Sequence, residues 1–176
     1  MDMINTIFQA GDDALGNEFQ VSFGPIPFLE GPKSLNVRVT TVEIPPKTLG
    51  EYEYRYKSER VVKPNGQIET AKEFAIEFRI DKYYTLYKAF SLWQDSIVNP
   101  VSGGVAPDVS ENGISLIRIP ITITSGTYDI EGTFIPTTQV WSFTGCWPKE
   151  VGGFTLDNQS GDPLLTAVRF GYLSMR

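Results

Sequence analysis

The sequence contains no histidine and a single cysteine, Cys146. Without histidine, no Ser–His or Cys–His pair is available for nucleophilic catalysis, and no imidazole is available as a metal ligand. One cysteine can form neither an internal disulfide nor a zinc site with other thiolates. Cys146 alternates with large residues in a predicted strand, which predicts a small buried side chain, since a reactive thiol would need a neighbouring cation. We therefore expect no catalytic, cofactor-binding or metal-binding residues.

Long apolar runs and an excess of basic residues are also missing. The most apolar stretch, residues 114–123, is about half a membrane span and contains Arg118 and Pro120. No basic region followed by an apolar run marks a secretory signal at the N-terminus, so we expect a soluble chain made in a cytoplasm. The 15 Lys and Arg residues against 21 Asp and Glu give a net charge of -6, which argues against a protein that grips nucleic acid by its phosphates.

What the sequence does contain is typical of a folded protein with one core. Its 176 residues are 41% hydrophobic and 12% aromatic, which excludes a disordered chain and predicts a single domain over residues 1–176. Several segments alternate between apolar and polar residues, the pattern of half-buried strands. These predicted strands cover residues 19–23, 35–44, 72–80, 114–124, 127–134, 139–147 and 166–172.

The alternation also predicts which side chains face the core. In the strand over residues 35–44, Val39 and Thr41 share one face, whereas Arg38 and Thr40 lie on the other. The strand over residues 72–80 has an apolar face and a polar face, as does the last strand. The predicted inward side chains are Phe74, Ile76, Phe78 and Ile80, and the predicted outward ones are Glu73, Glu77 and Arg79. In the last strand, one face is predicted to carry Thr166, Val168, Phe170 and Tyr172.

One clear helix is predicted over residues 82–98, with Asp81 as its cap and Pro100 as its stop. Apolar residues recur there at helical spacing, which favours packing on the sheet over a ligand site. They are Tyr83, Leu86, Tyr87, Phe90, Trp93 and Ile97. A short helix is predicted at residues 3–10, and a surface loop at residues 99–113.

Glycine and proline set the expected strand ends. Pro64-Asn65-Gly66 and Ser125-Gly126 predict turns, and Pro148 predicts the end of the aromatic strand. Pro120 predicts either an edge strand or a bulge, and Gly145 predicts a bulge or a close backbone approach.

Residues 51–60 place three tyrosines on one face of an extended segment. Tyr52, Tyr54 and Tyr56 alternate with Glu51, Glu53, Arg55 and Lys57. Neither face has a clean core pattern, so the segment is a candidate contact surface, because tyrosine suits protein interfaces. The alternative is a solvated hairpin whose tyrosines cover the edge of the core.

The stretch over residues 139–162 carries the most distinctive pattern. An aromatic strand ends in G-C-W-P at residues 145–148, and the loop V-G-G-F-T-L-D, a short acidic turn and a final strand follow. This order resembles the C-terminal end of tail tube proteins from contractile-tailed bacteriophages, the myovirus type. A weaker match covers residues 17–21 and the end of the helix near Val98.

The resemblance implies a mainly β fold of two packed antiparallel sheets, as a sandwich or small barrel, with one flanking helix. It implies a structural, non-enzymatic virion protein whose hexameric rings stack into the inner tail tube, a passive conduit for DNA inside a contractile sheath. The partners implied are further copies of the chain, the sheath, baseplate and tape measure proteins, and viral DNA bound without sequence specificity, with no membrane. Assembly in the host cytoplasm and residence in the virion tail follow from the same resemblance.

Two sets of residues receive roles from the resemblance. A projecting hairpin over residues 46–66 corresponds to the segment that reaches the next ring, which makes Tyr52, Tyr54, Arg55, Tyr56 and Lys57 candidates for contact between rings. The lumen of the tube needs polar strand faces opposite apolar rows. The candidates are Arg38, Thr40, Glu73, Glu77 and Arg79.

Three alternatives remain open at the level of the sequence. The chain could be another member of the tube superfamily, either a tube initiator at the baseplate or a type VI secretion tube protein. It could be a β-sandwich binding module, such as a sugar-binding domain. It could also be a hydrolase that uses paired carboxylates, although no pair is marked by the sequence as facing a cleft.

Overall fold

The computed structural model describes residues 16, 18–29, 38–70, 72–105, 117–157 and 161–176. The predicted helix at residues 3–10 lies outside these ranges, as does much of the predicted loop at 99–113. In chain order the described elements are β1 (Phe19–Phe23), β2 (Val39–Val42), β3 (Lys47–Tyr56), β4 (Glu59–Thr70), β5 (Glu73–Arg79), α1 (Thr85–Ile97), β6 (Ile119–Tyr128), β7 (Phe134–Val151), β8 (Leu165–Gly171) and β9 (Ser174–Met175).

Seven strands form one antiparallel sheet in the order β1-β6-β7-β8-β5-β2, with β9 also paired to β7. The long strand β7 joins the two halves of this sheet, because its first part pairs with β6 and its last part with β8. Strands β3 and β4 form a separate two-stranded sheet. Within the described ranges β1 and β2 are not paired with each other, so the sheet is open and the small-barrel alternative is wrong.

The seven-stranded sheet curls so that its halves face each other. Phe23 on β1 and Phe78 on β5 lie 6.0 Å apart between ring centroids. In a flat sheet four strand spacings, about 19 Å, would separate them. Phe74 and Phe143, on strands separated by β8, stack at 4.1 Å. The predicted mainly β fold with two packed antiparallel layers and a helix is therefore confirmed.

Helix α1 covers the core between the layers. Phe90 packs on Phe78 and Phe170, with ring centroids 5.2 and 5.8 Å away. The Nε1–H of Trp93, whose side chain is buried, donates a hydrogen bond of 3.0 Å to the carbonyl of Ile117. The predicted helix is confirmed, starting three residues later than expected. No helix in the described ranges has the length and hydrophobicity needed to cross a membrane.

Asp81 contacts the start of α1 but is not its cap residue as predicted, because the helix begins at Thr85 and its N-cap is Tyr84. Its carboxylate accepts hydrogen bonds of 3.1 Å each from the backbone N–H groups of Thr85 and Leu86. Partial burial by itself would raise the pKa of Asp81, but these hydrogen bonds outweigh it and hold the pKa below its ordinary value. Tyr83 is the exception in the predicted apolar stripe: it precedes the helix and is 75% exposed.

The two segments predicted as turns, residues 64–66 and 125–126, lie inside strands at register shifts, and the chain reverses at other positions. Pro64-Asn65-Gly66 belongs to β4, where the register shifts opposite Gly50, and the reversal is at residues 57–58. Ser125-Gly126 belongs to β6, with a register shift at that point, and the reversal is at residues 129–133. The predictions were wrong because β-bulges and tight turns favour the same residue types.

Two of the three prolines in the seven-stranded sheet, Pro120 and Pro148, lie at register shifts. Strand β7 does not end at Pro148 as predicted but continues to Val151, because a register shift after Pro148 accommodates the missing N–H. The bulge predicted at Pro120 is confirmed, whereas the edge-strand alternative is wrong, since β6 lies between β1 and β7. Gly145 has φ +62° and lies against Leu173, so its predicted close approach is also confirmed.

A bulge also changes the inward face of β2. The register shifts between Val39 and Thr41, so Val39 and Val42 pack on the core while Thr41 is exposed. The predicted sharing of one face by Val39 and Thr41 is therefore wrong. By contrast, the four residues predicted to share one face of the last strand do share it, and all are buried: Thr166, Val168, Phe170 and Tyr172.

Candidate assembly surfaces

The β3–β4 hairpin stands apart from the sheet and helix. Every residue from 51 to 60 is exposed, and the two strands pack on each other while making at most marginal contact with any other described element. Its register pairs Tyr52 with Lys63, Tyr54 with Val61 and Tyr56 with Glu59. Residues 51–56 and 59–64 of the hairpin thus form a two-stranded arm whose side chains face away from the core.

The three tyrosines that were predicted to share a face, Tyr52, Tyr54 and Tyr56, do lie on one face of this arm. Tyr52 and Tyr54 stack with ring centroids 6.3 Å apart, and the Lys63 Nζ lies 5.3 Å from the Tyr54 ring. Lys57, at the reversal, approaches the Tyr56 ring to 5.6 Å instead of lying on the opposite face. The tyrosines are 49%, 39% and 63% exposed, so they do not cover the edge of the core.

The opposite face of the arm is charged. Arg60 Nη2 forms an ion pair of 2.8 Å with Glu53, and Arg55 lies directly across from Arg60. Val62, also on this face, is 47% exposed. Sequence reasoning missed the contributions of β4 because it placed the reversal at residues 64–66. A reversal at residues 57–58 would have paired the tyrosine ladder with Val61 and Lys63.

The five lumen candidates lie outside the core, on or beside the outer face of β2 and β5. The hydroxyls of Thr40 and Thr41 donate hydrogen bonds of 3.0 and 3.2 Å to the Glu77 carboxylate. Arg79 is exposed at the end of β5, and Arg38, which is half-buried, directly precedes β2. The structure thus brings Thr40 and Glu77 into contact.

Charges on this outer face are largely paired across strands. Glu73 on β5 forms an ion pair and hydrogen bond with Lys149 on β7, and the Arg169 Nε lies 3.5 Å from Glu150. The hydrogen bond and positive charge of Lys149 hold the pKa of Glu73 below its ordinary value. The face is therefore polar and close to electrically balanced.

A second protrusion, missed by the sequence reasoning, is the turn between β6 and β7. The Asp129 carboxylate accepts hydrogen bonds of 2.9 and 2.7 Å from the N–H groups of Glu131 and Thr133. Ile130 at its tip is fully exposed. The signal available in the sequence was Asp129 with Gly132, a pair typical of a short turn.

Cys146 is buried, as predicted from its position in the strand. Burial raises the pKa of its thiol to about 12, so the reactive thiolate is scarce at neutral pH. Nowhere in the described part of the chain do three or more Cys, Asp or Glu side chains group so that they could hold a metal ion.

Several solved structures share the fold over nearly the whole chain. A chain of the PVC sheath–tube complex of an extracellular contractile injection system matches with a TM-score of 0.61 and 16% identity, covering 100% of this chain and 97% of that one. A chain of the anti-feeding prophage baseplate matches with a TM-score of 0.59 and 16% identity, covering 94% and 95%. A chain of the PVC sheath/tube terminator matches with a TM-score of 0.57 and 19% identity, covering 90% and 91%.

No protein-family profile matches the sequence. No curated protein sequence matches it either. At these identities the structural likeness concerns the fold. The fold-level resemblance to the tail tube proteins of contractile systems, indicated by residues 139–162, is thereby confirmed.

Proposed function

We propose that the protein is a structural subunit of the inner tube of a contractile tail or injection system. Copies form hexameric rings, and rings stack head to tail into an open tube inside a sheath. The observation that carries the proposal is the match to a chain of a sheath–tube complex over essentially the full length of both chains. A role in the virion tail of a bacteriophage, with DNA as the cargo, is the specific form we propose.

The β3–β4 hairpin provides the contact between rings in this proposal. The exposed tyrosine face has the aromatic composition of an interface centre, and the hairpin contributes no described residue to the core of its own subunit. A heterologous contact needs two different surfaces on each copy, and a projecting arm supplies one of them. Tyr52, Tyr54, Arg55, Tyr56 and Lys57 remain our proposed contact residues.

The outer face of β2 and β5 lines the lumen in the same proposal. Its carboxylates are tied to neighbouring groups, Glu73 to Lys149 and Glu77 to Thr40. A wall with balanced, internally paired charges offers DNA phosphates no concentrated positive patch, so the polymer slides past. Arg38, Thr40, Glu73, Glu77 and Arg79 are the proposed lining residues, and the role requires no catalysis and no cofactor.

A second candidate position, at one end of such a tube, is supported by the matches to the baseplate and terminator chains, whose TM-scores are nearly as high as that of the sheath–tube chain. A tube initiator or terminator would sit at one end in a few copies, whereas the main tube protein repeats along the whole length. Counting copies per particle by quantitative mass spectrometry separates the two positions.

Negative-stain electron microscopy with size-exclusion chromatography tests the main proposal. The purified protein, concentrated stepwise, should yield six-fold rings or hollow tubes. A protein that stays monomeric at every concentration, and is not incorporated when seeded with tube fragments, would contradict self-assembly and move the weight to a β-sandwich binding module.

A further inference from the structure

The hairpin is divided into a base and an arm by one irregularity. The base pairs residues 47–49 with residues 68–70, and the arm pairs residues 51–56 with residues 59–64. Between them, Gly50 on β3 stands opposite Asn65, Gly66 and Gln67 on β4. A bulge of this kind bends the strand and increases its twist, so it decides where the arm points.

Close packing fills this junction. Gly50 is buried although residues 47–49 and 51–60 are exposed. A Cβ added to Gly50 would lie 2.6 Å from both Oδ1 and Nδ2 of Asn65. The amide of Asn65 therefore occupies the space that any other residue at position 50 would need.

The same amide also holds the backbone of the bulge. Asn65 Oδ1 accepts a hydrogen bond of 2.8 Å from the N–H of Gln67. This bond spans Gly66, whose φ of +76° is in the left-handed region that favours glycine. If the amide moved to admit a side chain at position 50, the bond to Gln67 would break. One side chain thus joins the packing of β3 to the conformation of β4.

We propose that the contact between Gly50 and Asn65 is an elbow that fixes the direction of the arm, and through it the angle at which successive copies stack. The stacking part rests on the proposed function of the hairpin. The arm of six residue pairs extends about 20 Å at about 3.4 Å per residue, so a swing of about 15° moves its tip by about 5 Å. A small change at the elbow therefore displaces the tyrosine face substantially. Asn65 is a positioning residue, since it acts through the strand.

The direction of the arm can be measured without assembly, by double electron–electron resonance between spin labels on S58C and K88C. Ser58 is at the tip of the arm and Lys88 is on α1, and both are exposed, whereas the native Cys146 is buried. The parent protein should give one narrow distance distribution. G50A and N65A should each broaden it or shift its maximum by about 5 Å.

Two further variants make the test specific. N65D keeps the oxygen that accepts the Gln67 N–H, so it should retain the parent distribution. The double variant G50A/N65A should change the distance no more than either single variant does, because both remove one contact. Thermal unfolding of the body, meaning the seven-stranded sheet with α1, should be unchanged in all four variants, since the arm makes at most marginal contact with it. A parent-like distribution in G50A, or a broad one in the parent, would overturn the elbow.

Assembly then tests the consequence for stacking. In cryo-electron microscopy, tubes of G50A should show an altered rotation between rings or require a higher protein concentration to form, while N65D tubes match the parent. If the parent forms no tubes, the proposed function fails and the distance measurement still decides the elbow. If G50A tubes are identical to those of the parent, the proposed link between the elbow and stacking is wrong, but the proposed tube function is unaffected.

Discussion

The body of the molecule and the β3–β4 hairpin share the same alternating sequence pattern, but its apolar face is buried in the body and exposed in the hairpin. On β5, Phe74, Ile76 and Phe78 alternate with polar residues and are at most 2% exposed. On β3, Tyr52 and Tyr54 alternate just as regularly and are 49% and 39% exposed. Alternation therefore predicts a strand in both regions, but only the presence of a packing layer above the strand decides whether its apolar face is buried. Among the residues that the structure describes, no such layer lies over the hairpin.

The largest effect that separates the two regions should come from the body. Replacing Phe143 with alanine removes a buried ring that stacks on Phe74 at 4.1 Å, so the free energy of unfolding should fall by about 3–5 kcal/mol. Replacing the exposed Tyr54 should cost no more than about 1 kcal/mol. Urea unfolding followed by tryptophan fluorescence measures both, and equal losses would show that the arm belongs to the core.

For assembly we expect the opposite order, with the larger effect coming from the tyrosines of the arm. Changing Tyr52, Tyr54 and Tyr56 together to serine should raise the concentration needed for ring or tube formation at least about tenfold, equivalent to about 1.4 kcal/mol. Sedimentation velocity across a dilution series gives this concentration.

The matched control lies on the opposite face of the same arm. The pair E53Q/R60Q removes an exposed ion pair from the hairpin and leaves the tyrosines in place. It should change assembly far less than the tyrosine variant. If both variants weaken assembly equally, general destabilisation of the arm, and not its aromatic face, explains the effect.

A smaller effect is expected at the start of α1. Replacing Asp81 with asparagine should cost about 1 kcal/mol at pH 7, because the amide keeps only one of the two oxygens that accept N–H groups of the first turn and removes the negative charge at the helix N-terminus. The pKa of Asp81 is lowered in the folded state, so its contribution is present above the unfolded value of about 3.9 and is lost as the pH falls through the lower folded value. The difference between wild type and D81N should therefore shrink below about pH 4. A difference that grows in acid would contradict this assignment.

The smallest effect concerns the proposed lumen face. The charge and hydrogen bond of Lys149 lower the pKa of Glu73, so K149A should move that pKa upward toward its ordinary value. Carboxyl-detected NMR titration of Glu73 measures the shift directly. An unmoved Glu73 would show that the ion pair does not persist in solution.

The sequence predicted most of the body because its local pattern and its tertiary environment agree. Phe74, Ile76, Phe78 and the last strand alternate in the sequence and are buried in the fold. The helix was found because its apolar stripe matches the helical repeat, and Asp81, predicted as its cap, lies four residues before Thr85 and still accepts N–H groups of the first turn. Only its first residue and the exposed Tyr83 were misjudged, and helix ends are the places where local pattern is least informative.

The errors in the strands concern places where long-range pairing decides the outcome. Gly66, Gly126 and Pro148 mark turns or ends in isolation, but each lies at a bulge because a neighbouring strand continues past it. No local signal in the sequence shows that β7 passes from one layer to the other, pairing first with β6 and then with β8. The site was predicted in part: the tyrosine face was recognised, whereas its partners Val61 and Lys63 depended on where the hairpin reverses.

The central claim is that the body folds by itself and the arm is completed by another copy. Hydrogen–deuterium exchange of the free and the assembled protein tests it most directly. Backbone amides of residues 51–63 should exchange faster than those of β5 and β8 in the free subunit and should become slower after assembly, while amides of β5 and β8 are protected in both states. Exchange in the arm that is equally fast before and after assembly would contradict the claim.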